Sequence, residues 1–137
     1  MKRHFLLILI LLSFCLFSCR QNKTERIHQH ILKANEYIHY SNFDAAIEEL
    51  DKCERLDNQN PTIFFLKGNI HTSRRQYEQA IAMYDAAIAL DEYFMDAYIN
   101  RGRVWFYLGN AVKRCEDFLK AESLGATNLK EDTKFCW

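Results

Sequence analysis

The sequence predicts an all-α chain built from helix pairs that recur at a fixed interval, and three observations predict it. Tyr77, Ala80, Ile81, Tyr84, Ala87 and Ile88 form one apolar stripe at helical spacing, unlike the alternation of a strand. The stretch carrying that stripe recurs at the step from Gly68 to Gly102, 34 residues. Ala46 and Ala80 agree at that step, as do Ile47 and Ile81. Leu50, Tyr84 and Phe118 make a large apolar column, Cys53, Ala87 and Ala121 a small one, and Leu56, Leu90 and Leu124 a third. Only one Pro and four Gly interrupt 137 residues, of which 14% are aromatic, so long helices and a packed core are both within reach.

Taken in order, Met1 to His4 is basic and Phe5 to Phe17 is apolar apart from Ser13 and Cys15. That run falls short of the roughly 20 apolar residues a membrane-spanning helix needs, so residues 1–18 read as a signal sequence. Its ending, Leu16-Phe17-Ser18-Cys19, resembles the bacterial lipobox. The resemblance implies cleavage before Cys19, acylation of Cys19 with palmitate-type chains, and a lipoprotein anchored to a membrane of the bacterial cell envelope, the outer one, without spanning it. A plain secretory signal with a fortuitous Cys is the alternative. Residues 19–26, polar and unpatterned, are expected to act as a tether.

Ile27 to Tyr40 carries Ile27, Ile31, Ala34 and Ile38 at helical period, and Ser41-Asn42 makes a turn. Asp44 leads a second helix over Ala45 to Leu56, which ends where the turn formers Asp57, Asn58 and Gln59 accumulate. Asn60 can cap the next helix, and Pro61 can fill its first position, where a missing N–H costs nothing. That helix runs to about Ser73. Arg74, Arg75 and Gln76 turn the chain, and Tyr77 opens its partner. A third pair is expected at Ala97–Leu108 and Val112–Leu124, joined by Gly109-Asn110, with Gly125 as a left-handed cap. Residues 129–137 are expected to cap the last apolar face through Leu129, Phe135 and Trp137.

A two-helix unit at this step resembles the tetratricopeptide repeat, over residues 27–60, 61–94 and 95–128. Phe64, Gly68, Tyr77, Ala80, Tyr84 and Ala87 fill most of the family's set positions. Lys67 replaces a Leu; Lys33 and Arg101 are basic at the same offset, similar to the Arg-Gly variant of the repeat. Such a side chain can bury its stem and keep its charge at the edge, and Arg101 with Asp117 is the candidate pair. Arg114 stands where Ala46 and Ala80 predict a small residue. The resemblance implies three helix-turn-helix repeats stacked as a short right-handed superhelix with a C-terminal capping segment.

Losing Lys2 and Arg3 with the signal turns 18 basic and 18 acidic residues into a formal charge of −2. With no basic run, nothing marks a nucleic-acid partner. The His residues show no metal-ligand spacing, and no phosphate loop or nucleophile context is present. No cofactor, metal or catalytic residue is expected, and an enzyme is not. Of the cysteines, Cys53 sits in a small-residue column and is expected to be a buried thiol. Cys115 and Cys136 either form a disulfide or remain two separate thiols.

The family resemblance further implies a concave face lined by the first helix of each repeat, able to take an extended peptide. Carried over position by position, its groove residues include Asn35, Phe65, Asn69, Ile99, Arg103, Phe106 and Tyr107. Ile31, Asp96 and Asn100 stand where the carboxylate-clamp subclass needs basic or amide groups, so that subclass is not resembled. The expected function is a non-enzymatic adaptor holding a protein or peptide partner, with a cell-wall peptide or glycan as the alternative ligand. Three repeats are near the minimum for such an array, so burial of an outer face in a partner or in a second copy is also compatible with the sequence.

Overall fold

The computed structural model describes residues 22–127, 129–134 and 136. The expected signal sequence, the acylation site Cys19 and the capping residues Phe135 and Trp137 lie outside the described residues. Among the described residues every regular element is helical and no strand occurs. The chain divides into two compact units between Asp57 and Asn58.

The first unit holds α1 (residues 22–39) and α2 (Phe43–Leu56). Residues 22–26, expected in a tether, already belong to α1, because their polar side chains are compatible with an exposed helical turn. Helix α2 starts earlier than expected: Asn42, not Asp44, caps it, with Oδ1 accepting from the Ala45 N–H at 3.4 Å. Ile27, Ala34, Ala46, Leu50 and Cys53 form the buried side. The Cys53 thiol donates to the Ile27 carbonyl at 3.6 Å. Glu49 is buried as well, and its carboxylate accepts from His30 Nδ1 at 2.6 Å and Lys52 Nζ at 2.5 Å.

In the second unit, α3 (Pro61–Ser73) packs on α4 (Tyr77–Leu90), α4 on α5 (Met95–Tyr107), α5 on α6 (Ala111–Ser123), and the short α7 (Lys130–Thr133) on α6. Asn60 caps α3 through a 3.0 Å bond from the Thr62 N–H, and Pro61 takes the first helical position. Two glycines set the interhelical spacing. A Cβ at Gly68 would lie 2.5 Å from Tyr84 Cε1, and one at Gly102 would lie 2.5 Å from Phe118 Cε1. Each ring therefore fills the volume that the glycine of the preceding helix vacates, and both rings are buried. Full burial of such a side chain contributes about 1.5–3 kcal/mol.

The 34-residue step survives in the backbone. Ser41, Arg75 and Gly109 all have positive φ, at 57°, 59° and 71°. Each donates its N–H three residues back, to Ile38, Thr72 and Phe106, and the next residue donates five back, to Tyr37, His71 and Trp105. This bond pair closes a helix through a left-handed residue. Gly125, at φ 108°, closes α6 the same way.

Arg101 and Asp117 are paired. Arg101 Nε donates to Asp117 Oδ2 at 2.9 Å and Nη2 donates to Oδ1 at 2.6 Å, while Nη1 reaches Asp85. Burial works against the Arg101 cation, yet the bonds and charges of Asp117 and Asp85 hold its pKa above the usual value. Beyond α6, Leu129 is buried in one cluster with Tyr98, Ile99, Phe118 and Ala121. Thr133 Oγ1 lies 3.0 Å from Glu122 Oε1 and 3.1 Å from the Leu129 carbonyl. Cys115 on α6 and Cys136 are joined by a disulfide.

Candidate functional site

The first helices of two successive repeats, α3 and α5, turn polar side chains toward each other around the hydroxyl of Tyr84. That residue enters from α4 with its ring under Gly68 and its hydroxyl directed at polar side chains of α3. The hydroxyl donates to Asn69 Oδ1 at 2.8 Å and lies 3.1 Å from Thr72 Oγ1, which in turn bonds the Gly68 carbonyl at 2.9 Å. Burial pushes the Tyr84 phenol above its usual pKa, so it remains a donor at neutral pH.

From α5, Asn100 Nδ2 donates to the same Asn69 oxygen at 2.8 Å, and Arg103 Nη1 donates to Asn100 Oδ1 at 3.1 Å. Asn69 Oδ1 is thus filled by two donors. Its Nδ2 has no hydrogen bond among the described residues and can donate outward. Asn69, Thr72, Ser73, Tyr84, Asn100, Arg103 and Tyr107 line an open cleft of about 230 Å³. Side-chain amides locked by buried partners, next to a guanidinium, suit hydrogen bonding to the main chain of an extended segment.

Of the residues expected in a groove, Asn69, Arg103 and Tyr107 line this cleft. Phe106 is 59% exposed and lies beside it, while Tyr107, 58% exposed, stacks on Tyr77 with centroids 5.3 Å apart. Asn35 is exposed on α1 of the first unit. Two others pack against neighbouring side chains. Ile99 is 7% exposed and belongs to one core cluster with Tyr98, Phe118, Ala121 and Leu129. Phe65 is half-buried, packed on Phe94 at 4.9 Å and on Tyr84 at 6.1 Å.

Tyr84 and Asn100 were not expected in the site. Tyr84 reads as core in any periodicity argument, and only its hydroxyl betrays a second role. Asn100 sits one turn before Arg103 on the same helix, a spacing that places both on one face.

Similarity to known proteins agrees with the fold. Residues 68–109 match the family model described as TPR repeat. The first TPR of Spaghetti (RPAP3) bound to an HSP90 peptide superposes with a TM-score of 0.75, covering 80% of this chain and 89% of that one at 20% identity. This is a TPR fold.

MamA superposes with a TM-score of 0.67 at 25% identity, covering 72% of this chain and 58% of its own. The Yersinia enterocolitica type III secretion chaperone SycD, in complex with a peptide of the translocator YopD, gives 0.71 at 17% identity, covering 80% of this chain and 86% of that one. A UDP-N-acetylglucosamine–peptide N-acetylglucosaminyltransferase of Giardia intestinalis is 34% identical over 83 residues. That match takes in 61% of this chain and only 6% of the transferase. The TPR fold is typically a binding scaffold rather than a reaction centre.

Proposed function

We propose that this chain is a non-enzymatic adaptor whose α3–α5 cleft holds an extended peptide segment of a partner protein. The observation that carries the reading is the fixed set Asn69–Tyr84–Asn100–Arg103, which presents amide and guanidinium donors in an open cleft flanked by exposed aromatics. TPR neighbours solved with HSP90 and YopD peptides support it. The lipobox-like ending at Cys19 extends the proposal to a lipoprotein held at the bacterial cell envelope, on the outer membrane.

The test is capture of a partner from detergent extract by the full chain. One stoichiometric protein is expected, with capture falling about tenfold for Asn69→Ala and for Arg103→Ala, the loss of a charge-assisted or locked hydrogen bond. Capture indifferent to both changes would overturn the cleft assignment. Cys19→Ser should move the protein to the soluble fraction; retention on membranes would count against the anchor. The exposure of Phe106 and Tyr107 favours a second reading, binding of an envelope peptide or glycan, which requires binding to purified envelope polymer that Phe106→Ala abolishes.

A further inference from the structure

A second cavity, also about 230 Å³, adjoins the cleft and shares Arg103 and Tyr107 with it; Phe106, Arg114, Phe118 and Asp132 complete its lining. Its walls come from α5, α6 and α7. Arg114 is the residue that breaks the repeat's small-residue column, where Ala46 and Ala80 are fully buried. Its guanidinium lies over the Phe106 ring, 5.7 Å from the centroid. The Arg114 Nε is shut off from solvent and has no hydrogen-bond partner. An arriving acceptor therefore meets the guanidinium through its Nη groups, which are not shut off.

Neither Arg103 nor Arg114 forms an ion pair among the described residues, although Asp132 lines the same cavity. Two guanidiniums and one carboxylate leave one net positive charge. That balance matches a singly charged carboxylate better than a doubly charged phosphate, which Asp132 would repel. The aromatic faces of Phe106 and Tyr107, both exposed, add an apolar wall on which the stem of a Glu side chain or a neighbouring ring can lie.

We propose that this cavity is a subsite for an acidic side chain, with the carboxylate accepting from Arg114 and Arg103 beside Phe106. It rests on the peptide-binding reading above and names the chemistry of that peptide: a segment with a Glu or Asp one pocket beyond the part held by Asn69 and Asn100. Arg114 thus has a ligand-binding reason to stand where the repeat pattern asks for a small residue.

The test uses two probes, N-acetyl-Phe-Glu-amide and N-acetyl-Phe-Gln-amide, titrated into the isotope-labelled full chain while the Arg side-chain Nε–H signals are followed by NMR. The Glu probe should move the Arg114 signal and bind about tenfold tighter than the Gln probe, as expected for one charge-assisted contact. Arg114→Gln should erase that preference. Equal binding of the two probes, or an unmoved Arg114 signal, would overturn the proposal. Should Arg114→Gln fail to fold, the exposed Asp132 gives an independent reading: Asp132→Asn should tighten the Glu probe, and unchanged or weaker binding would overturn it. The side-chain amide signals of Asn69 and Asn100 report separately on the adjoining cleft. Longer peptides that leave those signals still would count against the parent reading, whatever happens at Arg114.

Discussion

Gly68 lies so close to the ring of Tyr84 that a Cβ on the glycine would come within 2.5 Å of Cε1. The contact fixes how near α3 and α4 approach, and it also aims the Tyr84 hydroxyl at Asn69, 2.8 Å away. One glycine therefore sets both a packing distance and the polar floor of the cleft.

Gly68→Ala should destabilise the protein by about 2–3 kcal/mol, because the fully buried ring has no room to retreat. Tyr84→Phe keeps the ring and loses only the hydroxyl, so about 1 kcal/mol is expected. Urea midpoints of the two variants measure the difference. Equal costs would mean that the glycine contact does not govern the spacing.

Arg75 occupies a left-handed position that Gly109 fills one repeat later. Arg75→Gly should leave stability unchanged or raise it by up to about 1 kcal/mol, since relief of φ strain outweighs the added freedom of the unfolded chain. Gly109→Ala should lower it by a similar amount. Thermal melts showing the opposite order would contradict the backbone reading.

Arg101→Ala should cost about 3–5 kcal/mol, because it leaves the Asp117 carboxylate buried without its partner. Asp85→Ala removes the outer contact of the same guanidinium, but the Asp85 side chain is 53% exposed, so a change within about 1 kcal/mol is expected. A double-mutant cycle across Arg101 and Asp117 checks the coupling.

The Glu49 carboxyl is held below its usual pKa, first by the bond from Lys52 and then, against the opposing effect of burial, by His30. A depressed folded-state pKa means that Glu49 contributes stability above the unfolded value of about 4.3, and that this contribution is lost as pH falls through the lower folded value. Urea midpoints measured from neutral pH down to about pH 3 should fall for the native sequence and fall less for Glu49→Gln. Identical slopes would show that Glu49 is not the group responsible.

Reducing the Cys115–Cys136 bond should cost about 3 kcal/mol, the loop entropy expected for its 21-residue separation. Before reduction, thiol labelling of the unfolded mature chain should find Cys53 alone; three reactive thiols would show that the bond does not form.

Local and periodic features were legible in the residues alone. The helix pairs, the columns through Leu50, Tyr84 and Phe118, the caps at Asn60 and Gly125, and the Arg101–Asp117 pairing all follow from spacing, since a helix repeats its faces at a fixed rise and a repeat unit copies its contacts at a fixed step. The candidate site was legible only in part. Spacing placed Asn69 and Arg103 on first helices, but which of them share a cleft depends on contacts between helices. Only the tertiary structure put Ile99 in one core cluster with Leu129, brought the Tyr84 hydroxyl and Asn100 to Asn69, and left Arg114 Nε without an acceptor. Each of those outcomes is set by what a neighbouring element covers or leaves open, and a residue's own periodicity holds no information about its neighbour.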